Sequence, residues 1–224
     1  MKNKKLLRIM GIAATLSALL ISIADFLLEY SPEYGVSNQI VEPEWYAMPE
    51  WRFSTSIYLC AFLIPFYIPG FWLLYKSIRI NSQRLAALLF ILFSYGVIMG
   101  SPLIHSSMCM NPLIYKFGLA KNLSPAVLAE FIGSKLTSVI FPVFISHYLI
   151  TWIIAPLILF IYIIRGKSVF KRWVAFVNPL AFLIIGMLGL IVLPDLFKYL
   201  TPGAINKANA CLFLILTIKH WNSD

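Results

Sequence analysis

Charged residues are scarce in this sequence, at 12% of the 224 residues, whereas 60% of the chain belongs to the hydrophobic set. A soluble domain carries about 25% charged residues, so this composition excludes an ordinary soluble globular protein. The apolar residues form runs long enough to cross a hydrocarbon core about 30 Å thick. We predict an all-α membrane bundle with six transmembrane helices, near Leu6 to Leu28, Ser56 to Tyr75, Leu85 to Ile104, Phe141 to Ile164, Trp173 to Leu196 and Ala204 to Ile218.

Acids are fewer than bases, which leaves a formal net charge of +9. The bases collect at alternate ends of the predicted helices, which is the pattern of the positive-inside rule, so the charge does not require a nucleic-acid partner. We predict a bacterial inner-membrane protein with membrane lipid as its partner and both termini in the cytoplasm. The cytoplasmic bases are then Lys2, Lys4, Lys5, Arg8, Lys76, Arg79, Arg84, Arg165, Lys167, Lys171, Arg172 and Lys219.

The first apolar run has an alternative interpretation as a signal peptide. The basic stretch KNKKLLR precedes it, and Ser22, Ile23 and Ala24 resemble a cleavage site. The run is longer than the usual apolar region of about 7 to 15 residues, which favours an uncleaved anchor. Cleavage would leave five spans with the same orientation.

Cysteine is also rare, since the chain has Cys60, Cys109 and Cys211 alone. An odd, scattered set excludes a disulfide framework, and we expect these residues to pack as small apolar side chains. The sequence lacks a glycine-rich phosphate loop, a CxxC pair and an internal repeat, so it identifies no cofactor. Residues 1–224 are predicted to form a single membrane domain.

Two segments between the predicted spans have their own patterns. The outer loop from Glu29 to Thr55 mixes prolines and glutamates with aromatic residues, which is typical of the headgroup layer. It either rests at the interface or covers the bundle as a lid. Ser124 and Pro125 predict the start of an interfacial helix, which would form a rod of about 63 Å if it continued to residue 165. We therefore expect a break or a change of direction near Gly133 or before Pro142.

Polar residues of the predicted spans are concentrated in the outer half of the bundle. Ionisable groups inside a bilayer usually face the protein interior or a wet cavity, and they indicate function. This asymmetry predicts a polar pocket open to the outer face, unless the groups simply meet water at the headgroup level. The residues are Asp25, His105, His147, Asp195, Asn206 and Asn209. Asp195 is also expected to form an ion pair with Lys207.

Three kinds of chemistry are compatible with these residues. Asp25, His105 and His147 could hold zinc and an attacking water, although no HExxH spacing is present. His105 and Cys109, four residues apart, could hold copper together with Met108 and Met110. A serine activated by His105 could be a nucleophile, although no GxSxG surrounds any candidate. The candidates are Ser101, Ser106 and Ser107.

Five stretches distributed along the chain carry a resemblance to a known family. They are ADFLLEY, PEWR, PGFWLLY, GSPLIHSS and TPGAINKAN. They resemble an uncharacterised bacterial membrane family that is catalogued as a domain of unknown function. The resemblance implies a compact multi-span protein and suggests tests of Asp25, His105 and Asn209, but it implies no activity or substrate.

The leading hypothesis is that the outer half binds or processes a small amphipathic or lipid-like ligand. Asp25 and His105 are the catalytic candidates, and His147, Asp195, Asn206 and Asn209 are expected to support the ligand. The metal candidates are His105, Cys109 and His147. One alternative is a non-catalytic membrane partner, such as an assembly or immunity factor. Another is a transporter, which the missing two-half repeat disfavours.

Overall fold

The computed structural model describes residues 2–31, 35–36 and 48–222, which are mostly helical, with one short β ladder and short connecting turns. The first helix, α1 (Lys2–Glu29), is apolar along most of its length. It ends in strand β1 (Tyr30–Ser31), which pairs antiparallel with β2 (Gly35–Val36). Residues 32–34 and 37–47 of the predicted outer loop, including Tyr34, Trp45 and Tyr46, lie outside the described residues, so the lid is a prediction that the structure does not test.

A second long helix follows the loop. It consists of α2 (Glu50–Leu63), a 3-10 turn (Ile64–Phe66) and α3 (Tyr67–Ile78). Pro65 lies in the 3-10 turn, where its missing N–H and its ring favour this tighter winding over an α-helix. The helix therefore runs continuously past the proline, from Glu50 to Ile78.

The third helix joins α4 (Gln83–Met99), a π-helical segment (Gly100–His105) and α5 (Ser106–Ala120). Ser82 caps its start by accepting a hydrogen bond from the Leu85 N–H. The predicted third span ends at Ile104, but the helix continues through Asn111 and Pro112 to Ala120. His105 and Cys109 therefore lie within a helix and do not mark a helix end.

The fourth helix runs from Pro125 to Ile164 and alternates between α and π winding. Its parts are α6 (Pro125–Glu130), a π segment (Phe131–Leu136), α7 (Thr137–His147), a second π segment (Tyr148–Ile154) and α8 (Ala155–Ile164). Of the predicted break or change of direction, the break is wrong, because the π segment that contains Gly133 and the α-helix that contains Pro142 keep the chain helical. At 1.5 Å per residue the helix is about 60 Å long, which exceeds the hydrocarbon core.

The last part of the chain has shorter elements. A 3-10 turn (Arg172–Phe176) precedes α9 (Pro179–Val192), α10 (Pro194–Leu200) and α11 (Ala204–Asn222). Asn178 caps α9 by accepting a hydrogen bond from the Ala181 N–H. Among the described residues, four helices are long and apolar enough to cross a membrane: Lys4–Glu29, Glu50–Ile78, Gln83–Ala120 and Pro125–Ile164.

The core of the bundle is built around α1 and α11, which lie antiparallel. At one end the Arg8 guanidinium lies 4.3 Å from the centre of the Trp221 ring. At the other end Asn206 donates a hydrogen bond to Asp25. Small residues allow the close approach of helices that is common in membranes. On these two helices they include buried Ala14, Ala18, Ala24, Ala208 and Ala210.

Candidate functional site

His105 and Asp25 form a pair at the end of the bundle where α1 ends and the outer loop begins. His105 Nδ1 lies 3.5 Å from Asp25 Oδ1, and the two side chains are 12% and 13% exposed. His105 is the last residue of the first π-helical segment, and such segments often occur at functional sites because they change the direction of nearby side chains. A small part of each side chain therefore remains accessible to solvent.

Ser56 of α2 contacts the opposite side of the imidazole. Its Oγ lies 2.8 Å from His105 Nε2 and donates a hydrogen bond to the Ala24 carbonyl oxygen at 2.7 Å. A hydroxyl has one proton to donate, so the contact with the histidine requires His105 Nε2–H to be the donor. The imidazole therefore presents Nδ1 to Asp25.

This arrangement implies that Asp25 and His105 share one additional proton. Without it, the lone pair of Nδ1 would face a carboxylate oxygen, and two acceptors would repel each other. With it, the pair is either imidazolium and carboxylate or imidazole and carboxylic acid. Both forms are neutral overall, which suits an apolar environment because an uncompensated charge is costly there. The pair can thus give or accept a proton.

Asn206 and Tyr67 extend the hydrogen bonds on the other side of Asp25. Asn206 Nδ2 donates to Asp25 Oδ2 at 2.5 Å, and the Tyr67 hydroxyl donates to Asn206 Oδ1 at 2.6 Å. The amide is therefore oriented by both of its ends. The complete network connects α3, α11, α1, the π segment and α2, so it depends on the packing of the whole bundle.

Two thiols lie close to this network. The ligand atoms of Asp25, Cys60 and His105 are all within 4.8 Å of one another. Ser56 and Cys60 are four residues apart and thus share a face of α2. The Cys109 thiol lies within hydrogen-bonding reach of Ser56. These donors could hold a metal with three protein ligands and one open position, as catalytic zinc requires.

A second carboxylate, Glu29, lies one helical turn after Asp25. Its Oε2 accepts a hydrogen bond from the Gly203 N–H at 3.3 Å. Lys207 Nζ donates to the carbonyl oxygens of Leu200 and Pro202 at 2.8 and 2.9 Å. The Gly203 bond attaches the start of α11 to the end of α1, and the Lys207 bonds fix the turn that precedes α11, next to Asn206.

Arg52 stabilises the end of α1 from the neighbouring helix α2. Its guanidinium donates to the carbonyl oxygens of Phe26, Leu27 and Tyr30 at 3.3, 3.0 and 2.5 Å. The last carbonyls of a helix have no partner within the helix, so these bonds satisfy groups that would otherwise be unpaired. Arg52 thereby holds α1 and α2 together beside Asp25 and Ser56.

The remaining residues predicted for the site, His147, Asn209 and Asp195, form no hydrogen bond or ion pair with Asp25 or His105 among the described residues. His147 is 7% exposed and packs against Gly100, and the buried His147 Nδ1 has no hydrogen-bond partner among the described residues. Asn209 is also buried, one turn after Asn206. Asp195 is exposed and pairs with Lys198 at 3.0 Å, a contact that raises the pKa of Lys198. The predicted ion pair between Asp195 and Lys207 is therefore wrong.

Sequence reasoning missed the serine that contacts His105. The side chain of Ser101 lies outside the described residues, and the Ser107 hydroxyl donates to the carbonyl oxygen of Ile104. Ser56 is fully buried. The sequence carried little signal for this contact, because Ser56 is simply the first residue of the predicted second span.

These features define a helical protein with several membrane-length helices and a partly buried aspartate–histidine pair. The chain belongs to a family of unknown function, DUF6796, which it matches over residues 1–223. The predicted resemblance to an uncharacterised family is thereby confirmed. No curated protein and no solved structure matches this chain.

Proposed function

We propose that this chain is a six-span protein of a bacterial inner membrane, with both termini in the cytoplasm. Contacts between the basic segments support this topology. Arg8 contacts Trp221, His220 contacts Ser77, and Asn81 donates a hydrogen bond to the Lys167 carbonyl oxygen. These contacts bring both ends of the described chain and two basic loops to one end of the bundle, as the positive-inside rule requires. The aspartate–histidine pair then belongs to the outer half.

At that pair the protein binds a small amphipathic or lipid-like ligand and exchanges a proton with its polar end. The observation that carries the proposal is the 3.5 Å contact between Asp25 and His105, which is held by Asn206 on one side and Ser56 on the other. Fixed acid–base groups of this kind catalyse proton transfer. Asp25 and His105 would contact the ligand, while Ser56 would keep the imidazole oriented.

The exposure of the side chains argues against Ser56 as a nucleophile. Asp25 and His105 are partly exposed, whereas Ser56 is 0% exposed and donates its proton to Ala24. A substrate would therefore contact Asp25 and His105 before it could reach Ser56. A fluorophosphonate probe, which labels activated serines, should leave wild-type protein unmodified; labelling that disappears in Ser56→Ala would assign the serine a covalent role instead.

The ligand can be sought by mass spectrometry of organic extracts from purified protein. We expect a compound that is enriched with wild type and depleted at least tenfold in Asp25→Asn and His105→Gln. Asp195→Asn, which changes an exposed carboxylate, is the matched control and should retain the compound. Equal extracts from all four proteins, with all four folded, would contradict the proposal.

A second candidate function is a metal centre at the same place. It is favoured by the distances between the ligand atoms of Asp25, Cys60 and His105, all within 4.8 Å. Elemental analysis of wild type and Cys60→Ser tests it directly. Zinc or copper near one equivalent in wild type, and lost in Cys60→Ser, would support the centre. Absence of metal from protein that was purified without chelator and supplied with zinc would exclude it.

A further inference from the structure

A groove opens at the basic end of the bundle, opposite the aspartate–histidine pair. It has a volume of about 730 Å³ and lies between the α3–α4 turn and the end of α8. Its polar side is formed by Asn81, Ser82, Arg165 and Lys167, and its apolar side by Leu85, Ile158, Ile161 and Tyr162. The hydrogen bond from Asn81 Nδ2 to the Lys167 carbonyl oxygen, at 2.8 Å, joins the two walls.

The hydroxyl of Tyr162 is the most informative feature of this groove. The tyrosine is 8% exposed, and its Oη is buried without a hydrogen-bond partner among the described residues. A buried hydroxyl without a partner costs free energy, so a polar group that bonded to it would stabilise this side of the groove. Tyr162 lines the groove, and its O–H can donate, so an acceptor bound in the groove would satisfy it.

The charge around the groove specifies the acceptor. The two segments that border it, residues 76–84 and 165–172, contain no aspartate or glutamate. Their bases are Lys76, Arg79, Arg84, Arg165, Lys167, Lys171 and Arg172. Arg165 and Lys167 line the groove itself, and the guanidinium of Arg172 lies near Gly166 between them. An anionic acceptor is therefore favoured over a neutral one.

We infer that this groove binds an anionic phospholipid of the adjacent leaflet, with its phosphate between Arg165, Lys167 and the Tyr162 hydroxyl. The glycerol and the upper acyl chains would lie along Leu85, Ile158 and Ile161. This combination of bases and apolar wall matches a lipid and exceeds what a free phosphate ion could contact. Basic pockets between helices on the cytoplasmic side are known to accept lipid headgroups.

The test compares thermal stability of the full-length protein in dodecyl maltoside with added phosphatidylglycerol or phosphatidylcholine. We expect phosphatidylglycerol to stabilise wild type more, because binding to the folded state alone raises its stability. Arg165→Gln combined with Lys167→Gln should weaken phosphatidylglycerol binding by roughly tenfold or more, since each base near an anionic lipid contributes about fivefold. Tyr162→Phe should weaken it by about tenfold.

The matched control is Arg79→Gln combined with Lys171→Gln, which removes the same charge from the same segments but outside the groove. It should retain most of the phosphatidylglycerol effect. Equal losses in the two double variants would overturn the inference, because they would indicate only a general surface charge. No preference for phosphatidylglycerol in wild type would also overturn it. Equal stabilisation by inorganic phosphate would overturn the assignment to a lipid.

Discussion

Gly203 lies against the backbone of Ser22 so closely that a Cβ at this position would come within 2.7 Å of the Ser22 carbonyl oxygen. Its φ of +67° is also in the left-handed region, which favours glycine. The same residue donates its N–H to Glu29. The turn before α11 therefore reaches the end of α1 only because this position is a glycine.

The first prediction is that Gly203→Ala destabilises the protein by about 2 to 4 kcal/mol, because it combines backbone strain with a backbone clash. Thermal unfolding in detergent measures the change. Gly133→Ala is the control, since a Cβ there would meet no atom within 4 Å and glycine is unfavourable inside helices. Equal melting temperatures for Gly203→Ala and wild type would contradict the packing described here.

Arg52→Ala should destabilise the protein by about 1 to 3 kcal/mol, because it leaves carbonyl oxygens at the end of α1 without donors. Arg52→Lys should recover part of this loss, since one ammonium cannot reproduce the planar fork. The control is Arg79→Ala, which changes an exposed arginine at the opposite end. If the two alanine variants unfold alike, Arg52 does not stabilise the end of α1.

Tyr67→Phe and Asn206→Ala should be coupled, because Tyr67 donates to Asn206 and Asn206 donates to Asp25. Asn206→Ala is expected to lower the free energy of unfolding more than Tyr67→Phe does, since it removes a hydrogen-bond partner from both Tyr67 and Asp25. A double-mutant cycle on unfolding free energies should give a coupling of about 1 kcal/mol. Strictly additive effects would show that the hydrogen bond between Tyr67 and Asn206 contributes nothing to stability.

The cysteines should differ in reactivity according to their burial. Cys211 is exposed, whereas Cys60 and Cys109 are buried. An apolar maleimide should modify one thiol in the folded protein and all three after unfolding in dodecyl sulfate, which intact-mass measurement can count. Cys211→Ser should remove the native label and keep two labels after unfolding. Rapid labelling of Cys60 in folded protein would contradict the burial of the site.

Much of the architecture could be predicted from sequence, because long apolar helices are specified locally by composition and length. The all-helical fold, the positions of the long helices and the family resemblance follow from such local signals. The continuity of the helices does not follow from local signals in the sequence. A break was predicted near Gly133, yet the chain stays helical there, and it also stays helical at Pro65 and Pro112, through π, 3-10 and α winding.

In the candidate site, too, some features could be predicted from the sequence and others could not. The sequence by itself determined that Asp25 and His105 are polar residues in apolar helices, and hence that they need partners. Only the tertiary structure decided that the partners are Asn206 and Ser56, from α11 and α2. The rotation of each helix about its axis is set by packing against several neighbours at once, and no local spacing in the sequence records that rotation.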